Sequence, residues 1–224
     1  MTAVAIFVKT PGLSPLKTRL AASIGQPRTH EIYSACAAAV AEVSVSAAIG
    51  PVYWAVAEAA DQAGAHWSDL PLLEQGDGGL GERMHRVMAE LVRRHGSGLL
   101  LGADAPQIDA DCLRQAADWL DEDQPRCVIG PARDGGFWTF GANHEVAESC
   151  WTRVTYSRAD TLHAFTASMG RDAQWLELSA LTDLDTVEEL DVVRYELGCL
   201  AKPALKQQAL MRKFDGLSTP TQAN

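Results

Sequence analysis

The chain has 224 residues, 47% of them hydrophobic, and a formal net charge of −10. A chain of this length buries roughly 70% of its unfolded surface on folding, so its core needs no disulfide or metal staple. The negative balance argues against generic nucleic-acid binding, which needs lysines and arginines to neutralise phosphates, and no apolar run reaches the about 20 residues of a membrane span.

Residues 2–8 are apolar and rich in β-branched side chains, with no polar alternation, which predicts a strand buried on both faces. A loop with Pro11, Gly12, Ser14 and Pro15 follows. Ile32, Cys36, Ala39, Val40 and Val43 fall on one stripe and predict a helix over 28–43. Pro51 opens a second strand at 52–56, and a third lies near 70–73. Leu80, Met84, Val87, Met88 and Leu91 recur at helical spacing and predict a helix over 81–95, with Glu90 and Arg94 as an i,i+4 pair. Residues 99–101 read as another buried strand, ending in Gly102-Ala-Asp104-Ala-Pro106, and Asp109 caps a helix to about residue 120. Cys127-Val-Ile-Gly-Pro and the glycines and aromatics of 134–141 suggest strands joined by a tight turn. Then come a helix over 157–169, a strand over 175–178, and a helix to about 197 opened by the capping box Thr186-x-x-Glu189. A last helix covers 204–214. Residues 1–215 are expected to form one domain and 216–224 a frayed tail.

Strands alternating with helices predict an α/β fold, a single Rossmann-like domain with a mostly parallel central sheet covered by helices. Ligands bind such sheets beyond the carboxyl ends of the strands. That rule draws together the loop after Val8, the loop after Leu101 and the turn before Thr186. Cys36, Cys112, Cys127, Cys150 and Cys199 form no Cys-x-x-Cys pair, and no basic leader precedes the first strand. Reduced thiols and a cytoplasmic location are therefore expected. The six histidines make no His-Glu-x-x-His motif, and no Gly-x-Ser-x-Gly elbow supports a serine hydrolase.

Five segments carry chemistry. Residues 1–30 contain Lys9, Lys17, Arg19 and Arg28 but no Asp or Glu, in an otherwise acidic chain. Lys9, Lys17 and Arg19 flank a Gly/Pro loop after the first strand, where fixed cations and backbone N–H groups suit a polyphosphate. Gln75 precedes Gly76-Asp77-Gly78-Gly79-Leu80-Gly81 at a helix start. The glycines there permit close backbone approach to a ligand, and the Gln75 amide is suited to a base edge; an ordinary Gly-rich turn is the alternative. Asp104 closes a buried strand, the position of a hard oxygen ligand for Mg²⁺ or Mn²⁺ on a diphosphate; turn capping is its alternative. Asp134, beside Gly135 and Gly136, is suited to serve as general base or to bind an acceptor hydroxyl, or else marks a turn. Asp183 and Asp185, two residues apart, either add a second metal carboxylate or cap the following helix.

Taken in order, these segments resemble a known bacterial family, the DUF2064 or arsenosugar-biosynthesis-associated GT-A-like glycosyltransferases, over about residues 3–200. They are also similar to the phospholactate and molybdopterin guanylyltransferases of the same superfamily. The resemblance implies a GT-A fold, phosphate contacts from Lys9, Lys17 and Arg19, and a nucleobase beside Gln75 and Gly81. It also implies a metal on Asp104 with Asp183 or Asp185 as its second carboxylate. Four departures stand out: Ser14 where the family loop has Gly, Gly102 where many GT-A enzymes carry the first acid of an Asp-x-Asp pair, Phe137-Trp138 where tyrosines are commoner, and an extra glycine at Gly78-Gly79. The expected activity is metal-dependent transfer from a nucleotide or nucleotide-sugar donor to a small-molecule acceptor. Glycosyl transfer leads and nucleotidyl transfer is the alternative; a nucleotide-binding module without its own chemistry is a third possibility. The oligomeric state is not legible, because an apolar face on the last helix serves a core or a dimer equally.

Overall fold

The computed structural model describes residues 1–170 and 173–216. Among these residues one sheet holds seven strands: β1 Thr2–Val8, β2 Val52–Val56, β3 Leu72–Glu74, β4 Ser97–Gly102, β5 Arg126–Pro131, β6 Phe137–Ala142 and β7 Gln174–Glu177. Their spatial order is β3-β2-β1-β4-β6-β5-β7. All neighbours run parallel except β6, which is antiparallel to both β4 and β5. The helices are α1 Thr18–Ile24, α2 Gln26–Ala47, α3 Ala60–Ala63, α4 Leu80–His95, α5 Ala110–Leu120, α6 Glu148–Thr152, α7 Thr161–Ser168, α8 Val187–Gly198 and α9 Leu205–Asp215. This is the α/β architecture with a mostly parallel sheet that the alternation of patterns predicts. The turn between β5 and β6 makes them the expected hairpin. The expected tail from residue 217 onward lies outside the described residues.

β1 shows why the sheet is covered on both sides. Val4, Ile6 and Val8 point into one core with α2 and α5, where Val40, Leu113 and Ala116 are buried. Ala3 and Ala5 point into a second core with α4, α6 and α7, closed by Met84, Met88, Trp151 and Phe165. Successive side chains of a strand alternate faces, so a strand apolar at every position needs two cores. A third cluster packs Leu20 of α1, Ile32 and Cys36 of α2, and Leu190, Val193 and Leu210 of α8 and α9. The apolar face of α9 is therefore spent inside the chain: Leu210 and Phe214 are buried, and Gln207 donates to the carbonyls of Pro106 and Ile108 at 2.8 Å each. No helix among the described residues is long and apolar enough to cross a membrane.

The crossover through α2 carries the chain from β1 to β2 on one side, and the crossover through α4 brings it back to β4 on the other. β1 and β4 thus flank the point where strand order reverses, and the crevice beyond their carboxyl ends is the ligand position in open α/β sheets. The chain reaches this crevice again later. Leu181 bonds to the carbonyl of Pro131 at the end of β5 (3.1 Å), and Leu184 bonds to the carbonyl of Asp104 (2.9 Å), so residues 181–185 cross from one strand end to the other.

Candidate active site

The basic loop after β1 is held from three sides. The Lys9 amide donates to the Tyr33 hydroxyl at 2.9 Å. The Thr10 amide and hydroxyl both donate to the Glu58 carboxylate, and Trp67 Nε1 donates to Thr10 Oγ1 at 3.1 Å. Partial burial works against the Glu58 anion, but Ser14 and Thr10 hydrogen bonds outweigh it and hold its pKa below the usual range. Glu58, Tyr33 and Trp67 are thus the loop's anchors, and no local motif announces them.

At the far end of that loop, Lys17 lies in left-handed backbone, φ 44° and ψ 47°, just before α1. Its side chain is 10% exposed, and its ammonium bridges Asp104 Oδ2 and Asp185 Oδ1. Arg19 takes the remaining oxygen, Asp185 Oδ2, at 2.8 Å. Burial opposes the Lys17 charge, yet Asp104 and Asp185 more than offset it and hold the ammonium charged beyond the ordinary lysine range. Burial likewise pushes Asp185 up, and Lys17 and Arg19 reverse the sign and leave it lowered.

Asp183 is the opposite case. Its Oδ1 is buried with no hydrogen-bond partner. Burial first, and then repulsion from Asp104, push its pKa up to about 8. Two carboxylates near one another in a half-dry site cannot both be charged cheaply.

Two clefts meet here. The first, about 360 Å³, is lined by Lys9, Lys17, Tyr33, Gln75, Asp104 and Asp185 among others. The second, about 260 Å³, is lined by Asp104, Asp134, Gly136, Phe137, Tyr156, Arg158 and Asp183 among others. Leu80, Asp104 and Ser157 belong to both, so Asp104 stands in the wall they share. Ser157 itself has φ 61°, a conformation that no sequence pattern signals.

Several residues singled out from sequence are used by the scaffold. Gln75 is buried, and its amide nitrogen donates to the carbonyls of Val8 (3.2 Å) and Ala55 (2.8 Å), tying the ends of β1 and β2 together. Both of its amide donors are thereby spent on backbone. A Cβ at Gly81 would sit 2.4 Å from the Trp151 carbonyl oxygen and 3.0 Å from the Tyr156 ring, so the missing side chain lets α4 pack on α6. The preceding loop is stapled by α4: Arg83 donates to Gly78, and Arg86 to Gln75 and Asp77. Gly135 has φ 94°, and its Cβ would meet the Ala159 carbonyl oxygen at 2.1 Å; its own carbonyl accepts from Leu162 in the first turn of α7. Asp134 is exposed and lines the second cleft, and its Oδ1 accepts from the Gly136 amide at 2.8 Å, a turn-closing bond that leaves Oδ2 unused by it. Lys9 is exposed, with its ammonium 3.4 Å from the Pro15 carbonyl.

A family model described as "Uncharacterized protein conserved in bacteria (DUF2064)" matches residues 35–158, more than half of the chain. The chain belongs to the DUF2064 family. The match spans Gln75, Gly81, Asp104 and Asp134; the basic loop and the Asp183–Asp185 turn lie outside it. No curated protein matches the sequence. Among solved structures, a candidate nucleotide-diphospho-sugar transferase from Desulfovibrio desulfuricans is similar at 22% identity and a TM-score of 0.82, over 96% of each chain. A nucleotidyl transferase from Methanothermobacter thermautotrophicus is similar at 14% identity and a TM-score of 0.57, over 89% of this chain and 99% of that one. The 4-diphosphocytidyl-2C-methyl-D-erythritol synthase of Anaerococcus prevotii follows at 11% and 0.54, over 88% and 96%. At these identities the likeness is one of fold.

In this DUF2064 chain the donor set of the crevice fits a hard divalent cation. Among the described residues no three His, Cys, Asp or Glu side chains form a ready cage. Mg²⁺ does not need one, since it is usually held by one or two carboxylates plus substrate phosphates and water. Asp104 faces both clefts, and Asp183, whose carboxyl burial and Asp104 keep protonated, has a partnerless Oδ1 and would ionise if a cation took the proton's place.

Proposed function

We propose that this protein is a metal-dependent transferase that takes a nucleotide-activated donor in the Lys9–Tyr33 cleft and a small hydroxylated acceptor in the Asp134 cleft. The observation that carries this reading is the shared wall: two clefts at the strand-order reversal meet at one carboxylate, Asp104. Residues 1–215 act as one transferase unit in this view.

Lys9, Lys17 and Arg19 bind the donor's phosphates. Arg19 is 68% exposed and has one partner, so its guanidinium can turn a bidentate face to an incoming phosphate. Asp104, with Asp183 as the better-suited second carboxylate, would hold Mg²⁺ or Mn²⁺; Asp185 is already matched by Lys17 and Arg19. Such an ion, when bound, supplies Lewis-acid stabilisation of charge on the phosphate oxygens. Lys17 and Arg19 add fixed positive charge where the leaving group becomes more anionic. Asp134 Oδ2 orients the acceptor hydroxyl and accepts its proton as the new bond forms. Gln75 and Gly81 act at one remove, by fixing the strand ends and the helix against which the nucleoside lies.

Glycosyl transfer from a nucleoside diphosphate sugar is the leading reaction, in keeping with the fold shared with the nucleotide-diphospho-sugar transferase. Nucleotidyl transfer from a nucleoside triphosphate is favoured by one observation: Gly102 stands where an acid would complete an Asp-x-Asp pair. A Cβ at Gly102 would lie 2.8 Å from Asp104 Oδ1. Product analysis separates the two, with a nucleoside diphosphate released in the first case and pyrophosphate in the second. Incubation with nucleoside triphosphates and nucleotide sugars, with Mg²⁺ or Mn²⁺ and a panel of sugars and polyols, that yields neither product would refute both.

A further inference from the structure

Lys17 already neutralises a carboxylate that the proposed cation needs, Asp104. Its ammonium touches Asp104 Oδ2 and Asp185 Oδ1 together, and its side chain is 10% exposed. The contact spans 87 residues to Asp104 and 168 to Asp185, so it is built by the fold rather than by neighbours in sequence. The backbone at Lys17 is left-handed, a conformation a non-glycine residue keeps only where its surroundings hold it. The same side chain lines the cleft with Lys9 and Tyr33 into which donor phosphates are proposed to fit.

We propose that Lys17 is a built-in counter-ion for Asp104 and Asp185, which gives up Asp104 when a polyphosphate draws its ammonium into the donor cleft, so that metal and nucleotide load together. This rests on the reading of Asp104 as the metal carboxylate. An ammonium held at Asp104 Oδ2 repels a divalent cation on the same carboxylate and competes for its charge. Metal arriving alone either bears that repulsion or dislodges Lys17 and leaves a buried ammonium short of counter-charge, and both are costly. A nucleotide removes that cost, because its phosphates receive the ammonium that Asp104 releases. Nucleotide and metal then raise one another's affinity by the same factor.

The test is calorimetric titration of Mn²⁺ alone into metal-free wild type, Lys17→Asn, Lys17→Gly and Lys17→Arg. Asparagine and glycine both accept left-handed backbone, so the neutral variants keep the turn; a cooperative melt checks each. Both neutral variants are expected to bind Mn²⁺ at least about tenfold more tightly than wild type, about 1.4 kcal/mol. Lys17→Arg keeps the charge and is expected to stay as weak as wild type. Neutral variants that bind Mn²⁺ no more tightly than wild type overturn the counter-ion role. If wild type still takes up Mn²⁺ with one of the four ribonucleoside triphosphates, the transferase reading survives that loss. If no protein takes up Mn²⁺ with or without nucleotide, both readings fall.

Discussion

The two clefts that meet at Asp104 are balanced in opposite ways. In the proposed donor cleft the chain supplies its own counter-charge: Lys17 bridges Asp104 and Asp185, and Arg19 closes the far oxygen of Asp185. In the proposed acceptor cleft, Asp134 and Asp183 join Asp104, and Asp183 has a buried oxygen with no partner. Asp183 and Asp185 are two residues apart and equally acidic in sequence, yet one is pushed up to about 8 and the other is held low. The difference teaches that position along the strand ends, rather than residue type, decides which carboxylate already has a cation and which one invites one.

The largest expected effect comes from removing the group that both sides share. Asp104→Asn is expected to lower metal-dependent turnover by about 10³-fold, since a metal's charge stabilisation is worth several kcal/mol at tenfold per about 1.4 kcal/mol. Initial rates of product release measure it, and a loss of less than tenfold would put the metal elsewhere. Gly135→Ala attacks the acceptor side alone. Its Cβ would meet backbone at 2.1 Å and its φ is 94°, so a cost of about 2–3 kcal/mol is expected, with weakened docking of α7. Chemical denaturation checks this, and an unchanged midpoint would show that the turn can open freely. Arg19→Ala attacks the donor side alone. It is expected to weaken nucleotide binding about twentyfold, about 1.8 kcal/mol and so within the about 1.5–3 kcal/mol of a charged hydrogen bond, and to leave acceptor affinity unchanged.

The last effect is a pH dependence confined to the metal-free protein. Asp183 has a folded pKa near 8, above its unfolded value, so the native state holds a proton that the unfolded state has released. Stability from this group is therefore complete below about pH 4 and is lost as pH rises toward about 8. Asp183→Asn is expected to flatten that part of the melting profile of the metal-free protein. A wild-type and variant profile that run parallel from pH 5 to pH 8 would show Asp183 ionised throughout.

How much of this was legible in the sequence depends on how local each cause is. β2 lies at the expected 52–56, α5 is capped by Asp109 through the Cys112 amide at 2.7 Å, and α8 opens with the Thr186–Glu189 capping box. Glu90 pairs with Arg94 as expected, and also with Arg93. Periodicity and caps are short-range signals and carried those assignments. α1, α3 and α6 went unread, because they run 7, 4 and 5 residues, too short to show a period, and none has a side-chain cap. The three strand-end regions converge as the topology rule requires. What could not be read is tertiary: that Gln75 would spend its amide on Val8 and Ala55, that Gly81 would serve Trp151, and that Lys17 would find Asp104 and Asp185 across the fold. Glu58 and Tyr33 carry no motif at all, and only the closed loop shows their use.

The central claim is that nucleotide and metal meet at Asp104. The most direct test is a thermal-shift screen of nucleoside triphosphates and nucleotide sugars, with and without Mn²⁺, on wild type and Asp104→Asn side by side. A ligand at about 100 times its dissociation constant stabilises the fold by about 2.7 kcal/mol, which such a screen resolves. The predicted result is a nucleotide shift in wild type that grows with Mn²⁺ and loses that growth in Asp104→Asn. A metal-dependent shift of equal size in both proteins, or no shift in either, would contradict it.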